Sequence, residues 1–292
     1  MPFHQLVIDL GRAEPGAAEN ACLALGAMSV SLSDAADHPL LEPAPGETPL
    51  WPEIRLRALF AADADPRLLA ATLTAVLALP AAAIRSELVE DRAWEREWLK
   101  DFRPKRFGRR LWVCPGGQPP GDPDGIVLEL DPGLAFGTGT HATTAMCLEW
   151  LEGRSFAGQS VLDYGCGSGI LALAALKLGA ASVSAFDIDP QAVIATRDNA
   201  RRNGLGAQLV VLEADAAPAG EFDLVLANIL ARPLVALAPD FAKLCPTGTL
   251  LLAGLLEAQA VEVADAYRPW FDIATAARRD GWIALSGHRR AE

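Results

Sequence analysis

Apolar and polar positions divide the chain into two differently patterned stretches. From Phe3 to Val89, short apolar runs alternate with Ala-rich segments. Phe3 to Leu10 and Met28 to Leu32 predict strands flanking a helix near Ala17 to Leu25. A Pro-rich loop follows from Pro39 to Pro52. Ile54 to Phe60 then predicts a strand, Pro66 to Leu79 a helix and Ile84 to Val89 a strand. The order β-α-β-β-α-β predicts a small ferredoxin-like α+β domain over residues 1–90.

A different pattern connects the halves. Trp94, Trp98 and Phe102 recur at i, i+4 and i+8 with Arg and Glu between them, one face of a helix that Pro104 ends. Interleaved aromatic and basic residues are compatible with RNA binding, but a connecting helix packing its aromatics between domains is the favoured reading. The Pro- and Gly-rich loop Cys114 to Gly125 marks a boundary. Residues 91–125 are therefore expected as a helical linker and connecting loop.

From residue 126 to residue 292 strand and helix signals alternate. Strands are expected near 126–130, 160–164, 182–187, 208–212, 222–227 and 248–253, and helices near 141–152, 168–178, 190–203 and 230–243. Repeated β-α units predict an α/β domain with a doubly wound parallel sheet, helices on both faces. Ile273 to Arg278 and Trp282 to Gly287, around Asp280-Gly281, predict a closing hairpin.

The strongest chemical signal sits at one of these strand-to-helix turns. Asp163-Tyr164-Gly165-Cys166-Gly167-Ser168-Gly169 places three alternating glycines between a buried strand and an apolar helix. Glycine there permits positive φ and close approach of a ligand to the backbone, and the helix start offers free N–H groups. The next strand ends on Asp187, whose carboxylate can accept both hydroxyls of a ribose. The pair predicts a nucleoside-containing ligand. Dinucleotide binding needs G-x-G-x-x-G, and here Ile170 stands where the third glycine would be. No Gly-Lys-Ser/Thr follows for a triphosphate.

Two further blocks carry chemistry. Asp131 to Thr144 contains Gly133, Gly137 and Gly139, then His141, Thr143 and Thr144. It reads as a Gly-hinged lid with hydroxyl donors able to cover a zwitterionic amino acid group, or as an ordinary loop with threonine caps. Asp223 to Leu230 reads as a buried strand delivering Asn228 to its carboxyl end, where open α/β sheets bind ligands. Asn228 can hold an amine or the ligand there without charging it, or cap the next helix.

Composition narrows the class. At 51% hydrophobic and 21% charged the chain is globular. Five scattered cysteines without C-x-x-C predict reduced, mostly buried thiols and no disulfide framework, and neither they nor four isolated histidines predict a metal site. No leader is expected, since Met1 to His4 lack a basic start and Asp9 interrupts the apolar run, and the apolar run Leu68 to Ile84 is broken by threonines and Pro80. A soluble, cytoplasmic protein without a membrane partner is expected. The net charge of −12 disfavours non-specific nucleic-acid binding. It is uneven, with −7 over residues 1–90, +4 over 91–110 and −9 over 111–292. An acidic surface suits a lysine-rich partner.

Asp163-x-Gly-x-Gly-x-Gly resembles motif I of S-adenosylmethionine-dependent methyltransferases with a Rossmann-like fold. Together with the Gly-Thr-Gly-Thr-His strip ending at His141 and with Ala227-Asn228-Ile229-Leu230, it resembles the ribosomal protein L-eleven methyltransferase family. The match is close over the C-terminal two-thirds, and the Trp94–Trp98–Phe102–Pro104 segment also fits. Ala142 departs from it, since relatives often carry proline there. The resemblance implies a Rossmann-like methyltransferase domain behind a substrate-recognition domain that moves relative to it. It implies S-adenosyl-L-methionine as cofactor and trimethylation of lysine ε-amines and an N-terminal α-amine on a large-subunit ribosomal protein. Thr144, Gly165, Asp187 and Asn228 correspond to cofactor-binding positions, and Gly167 shares their loop. No residue is assigned a catalytic role; His141 is the nearest candidate base, weighed below a place in the lid. The alternatives are a methyltransferase acting on RNA or a small-molecule amine, and a non-catalytic nucleoside-binding protein. Asn228 lacks the Pro-Pro-aromatic sequel of enzymes acting on flat conjugated acceptors, so no nucleic-acid contact is required.

Overall fold

The computed structural model describes residues 2–36, 49–90, 103–116, 118–131 and 139–291. The expected helix around Trp94, Trp98 and Phe102 lies outside them, as do most of the Pro39 to Pro52 loop and residues 132–138. The chain forms two compact units, residues 1–94 and 95–292.

The first unit contains β1 (Phe3–Asp9), α1 (Pro15–Ala24), β2 (Ser29–Asp34), β3 (Ile54–Phe60), α2 (Pro66–Val76) and β4 (Ile84–Val89). Its four strands form a sheet in the order β2-β3-β1-β4, every pairing antiparallel. Both helices start on an acid–proline pair. Glu14 accepts from the N–H groups of Gly16 and Ala17, and Asp65 from those of Arg67 and Leu68. The following proline occupies the first helical position, where its missing N–H costs nothing. Leu6, Ile8, Leu56, Ala58 and Phe60 join Cys22 and Leu73 in one core.

The second unit opens with β5 (Lys105–Phe107), β6 (Leu111–Pro115) and β7 (Ile126–Leu130). These form a three-stranded sheet of their own, β6 and β7 in parallel. This corrects the expectation that residues 126–130 belong to the main sheet. It also shows the loop after Cys114 to be the connection between two paired strands. The pattern of a five-residue strand does not name its partner strand, so periodicity alone was bound to miss this.

Then follow α3 (Ala142–Glu152), β8 (Ser160–Tyr164), α4 (Ile170–Lys177), β9 (Ser182–Phe186), α5 (Pro190–Arg202), β10 (Leu209–Val211), β11 (Leu224–Asn228), α6 (Ala231–Leu244), β12 (Thr249–Leu256), α7 (Ala260–Tyr267), β13 (Phe271–Arg279) and β14 (Trp282–Arg289). The main sheet has seven strands in the order β10-β9-β8-β11-β12-β14-β13. The first five run parallel, and β14 inserts antiparallel between β12 and β13. The α/β expectation with a large parallel-containing sheet holds. Alternate strand residues face opposite cores: Val161, Leu224 and Leu226 pack with α3 and α4, while Leu162, Val225 and Ala227 pack with α6 and α7. Burial on both faces explains their unbroken apolar runs. At the hairpin, Asp280 (φ 52°) and Gly281 (φ 78°) form the two-residue turn that the sequence predicts.

All five cysteines are buried thiols. Burial pushes Cys22 and Cys245 up to about 11 and raises Cys147 and Cys166 further. Among the described residues no helix is long and apolar enough to cross a membrane.

Candidate functional site

Strand order reverses between β8 and β11, whose neighbours lie on opposite sides. The crevice beyond the carboxyl ends at such a point is where open α/β sheets bind ligands. Here it is a cavity of about 530 Å³, lined by Thr144, Gly165, Gly167, Asp187 and Asn228 among others. All five site residues expected from sequence thus line one cavity.

The turn after β8 is held by backbone and carboxylate together. Gly165, Gly167 and Gly169 all have positive φ, at 81°, 54° and 81°. The N–H groups of Gly165 and Cys166 both donate to the Phe186 carbonyl, at 2.8 and 3.0 Å. Gly167 N–H donates to Asp187 Oδ2 at 2.9 Å, and Asp189 N–H to Asp187 Oδ1 at 3.0 Å. Each oxygen of Asp187 keeps a second lone pair, so the carboxylate is oriented yet still able to accept two hydroxyls. Asp189 itself caps α5, ahead of Pro190.

Asn228 ends β11. Its Nδ2 donates to Thr144 Oγ1 at 3.3 Å, joining residues 84 positions apart. It does not cap the next helix, which begins from Leu230 without a side-chain cap. The side-chain oxygen of Asn228 is left without a protein partner among the described residues. Thr143 and Thr144 are not caps either; they are buried in the first turn of α3, which His141 caps. His141 Nδ1 lies 2.8 Å from Thr143 Oγ1, and its ring meets Trp282 edge-on at 4.8 Å between centroids.

Ile229 is wedged between two glycines. A Cβ on Gly165 would lie 2.3 Å from Ile229 Cγ2, and one on Gly254 2.3 Å from the Ile229 carbonyl oxygen. Gly254 has φ +84° and sits in the register shift between β12 and β14. Sequence reasoning missed Gly254 and Trp282, both of which line the cavity. The glycine interrupting the apolar run Leu250 to Leu256 of β12 was the available signal for a bulge.

Asp163, in β8 two residues before Gly165, is 1% exposed. One oxygen accepts the Ala172 N–H at 2.9 Å and the other has no partner among the described residues. Burial pushes its carboxyl up to about 7; the Ala172 N–H opposes this and the charge of Asp187 adds to it. The cavity itself is walled by Ile170, Leu171, Phe186, Ile188, Ile229 and Leu230. Such a site desolvates what enters while Asp187, Asn228 and Thr144 supply a few fixed polar contacts.

The signature of the family "Ribosomal protein L11 methyltransferase (PrmA)" matches residues 2–290. The ribosomal protein L11 methyltransferase of Pseudomonas aeruginosa (strain LESB58) is 50% identical over 295 residues, covering 100% of both chains. That of Hahella chejuensis (strain KCTC 2396) is 47% identical over 290 residues, covering 99% of each. The crystal structure of ribosomal protein L11 methylase from Lactobacillus delbrueckii subsp. bulgaricus superposes with a TM-score of 0.59 at 34% identity, over 65% of this chain and 100% of that one. With the motifs, the strand order and these full-length matches in agreement, the chain belongs to the ribosomal protein L11 methyltransferase family.

Proposed function

We propose that the chain transfers methyl groups from S-adenosyl-L-methionine to lysine ε-amines and the N-terminal α-amine of a large-subunit ribosomal protein, L11. The observation that carries this reading is the single cavity shared by Asp187, the Gly165–Gly167 turn, Thr144 and Asn228. Its volume falls in the range of small-molecule sites, roughly 300–1,000 Å³. The residues fit the cofactor: a ribose finds a pre-oriented carboxylate in Asp187, and the amino acid part finds the glycine turn.

When bound, the cofactor supplies an electrophilic methyl group on a sulfonium. The chain's own task is to align a neutral amine with it. A lysine of pKa near 10.4 is charged at pH 7, and providing its neutral form costs roughly 4–5 kcal/mol. The apolar wall lowers that cost by disfavouring the ammonium. Asn228 offers its unpartnered side-chain oxygen to an amine N–H, and its hydrogen bond to Thr144 fixes the carboxamide for that role. Ile229, Leu230 and Ala231 follow Asn228 where a Pro-Pro-aromatic run would stack on a flat base, which favours an aliphatic acceptor over a nucleobase.

The first unit is read as the ferredoxin-like substrate-recognition domain, residues 1–90. Its strand order β2-β3-β1-β4 supports this, as does its excess of acidic over basic side chains, 12 to 5. Residues 91–125 are read as linker and connecting segment, although their strands β5 and β6 pair with β7. Residues 126–292 carry every cofactor contact proposed above. A cytoplasmic setting follows from a ribosomal substrate.

The test is incubation with methyl-labelled S-adenosylmethionine, total ribosomal protein and ribosomal RNA. Label in one large-subunit protein is expected, and label in RNA alone would overturn the reading.

A further inference from the structure

Helix α5 turns a polar stripe toward the interior. Thr196, Asn199 and Asn203 follow at i, i+3 and i+7, hence on one face. Thr196 and Asn199 are completely buried. Asn203 Oδ1 accepts the Glu129 N–H at 3.0 Å while its Nδ2 donates to the Glu129 carbonyl at 2.7 Å. Asn199 repeats the pattern one rung on, accepting from Asp131 N–H at 2.9 Å and donating to the Asp131 carbonyl at 3.0 Å. Each carboxamide thus treats β7 and its end as a neighbouring strand would, on the edge that β6 does not cover. The spacing permits it, since four helical residues rise about 6 Å and two strand residues about 6.6 Å.

The two asparagines differ in one respect. Asn203 spends its other N–H on the Asn199 carbonyl within the helix, at 2.8 Å. Asn199 Nδ2 donates instead to the Ser168 carbonyl at 2.9 Å. One turn earlier, Thr196 Oγ1 donates to the Gly167 carbonyl at 3.0 Å, and a Cβ on Gly169 would meet Thr196 at 2.9 Å. Three consecutive residues of the glycine turn therefore rest on Thr196 and Asn199.

We propose that Asn199 is a positioning residue for the nucleoside site: its carboxamide bridges the glycine turn and the end of β7, setting where Gly167 meets Asp187. This rests on the reading of the turn as the cofactor site. The role is specific to asparagine. Aspartate would set a carboxylate against the Asp131 and Ser168 carbonyls, and leucine would leave both carbonyls, the Ser168 one buried, and the Asp131 N–H without that partner.

The test compares Asn199→Asp and Asn199→Leu with Asn203→Leu, which breaks the neighbouring rung. Amide hydrogen exchange of the ligand-free protein is measured at Gly167, Gly169 and Ala172, and S-adenosylmethionine affinity is titrated calorimetrically. Both Asn199 variants should exchange faster at the turn and bind the cofactor more weakly, each by roughly ten- to a hundredfold, with the KM for the protein substrate unchanged. Asn203→Leu should lower the melting temperature comparably yet keep wild-type exchange at the turn and wild-type affinity. Wild-type exchange in Asn199→Leu, or equal effects from Asn203→Leu, would overturn the proposal. A wild-type protein that binds no S-adenosylmethionine would sink the cofactor reading, while the exchange measurement still decides the role of Asn199.

Discussion

The carbonyl oxygen of Ile229 lies 2.3 Å from the point where a side chain on Gly254 would begin. That contact ties the β12 bulge to the segment carrying Asn228. It predicts that Gly254→Ala is among the most damaging small substitutions in the chain. Both Gly165 and Gly254 have left-handed φ, +81° and +84°, a strain of roughly 1–2 kcal/mol for alanine. At Gly165 the obstacle is the Ile229 methyl, which can rotate. At Gly254 it is backbone, which must move. Gly254→Ala should therefore cost roughly 3–5 kcal/mol in denaturant unfolding, clearly more than Gly165→Ala. Equal costs would show that Ile229 shifts freely.

Asp187 orients the glycine turn, and under the proposed function its remaining lone pairs accept the ribose hydroxyls. Asp187→Ala should weaken S-adenosylmethionine binding by roughly 1.5–3 kcal/mol, the scale of hydrogen bonds to a charged group. Calorimetric titration of the wild type should also rank S-adenosylmethionine above NAD. Unchanged affinity in the variant would remove Asp187 from the ribose; tighter NAD binding would remove the cofactor.

Asp163 predicts a pH dependence with a definite sign. Its carboxyl titrates near 3.8 when exposed and at about 7 in the fold. The folded state therefore holds a proton that the unfolded state has released, and stability falls as pH rises from about 4 to about 7, then levels. Asp163→Asn imitates the protonated form and removes this slope. The variant should be the more stable protein at pH 8 by a few kcal/mol, at about 1.4 kcal/mol per pKa unit, with the advantage vanishing near pH 4. Parallel unfolding curves at both pH values would show that Asp163 stays ionised.

Local chemistry was readable where the sequence states it locally. Glu14-Pro15, Asp65-Pro66 and Asp189-Pro190 each start a helix, and the glycine turn with Asp187 marks the cavity. Asp280-Gly281 marks the hairpin. What escaped depends on partners distant in sequence. The Ile126–Leu130 strand carries no local mark of its partner, and it pairs with β6. Nothing in the local pattern singles out Thr196, Asn199 and Asn203, because polar residues at helical spacing are usually exposed; only the unpaired edge of β7 gives them a buried task. The eight-residue α7 follows β12 with no proline or side-chain cap to mark its start, so the sequence carried no local signal for it.

The acceptor is the last matter the site predicts. Asn228 is followed by Ile229, Leu230 and Ala231 rather than by the Pro-Pro-aromatic run on which a flat base would stack. The chain carries net charge −12, which draws a basic protein rather than RNA. A neutral, desolvated amine is the same nucleophile after one or two methylations, and nothing in the wall distinguishes these states by charge. Successive transfer is therefore expected. Mass spectrometry of the reacted ribosomal protein should show increments of three methyl groups (the number an amine nitrogen accepts as it becomes quaternary) at more than one amine. Label confined to ribosomal RNA would overturn the protein assignment. A single monomethylated lysine would keep the enzyme class but contradict repeated transfer at one apolar site.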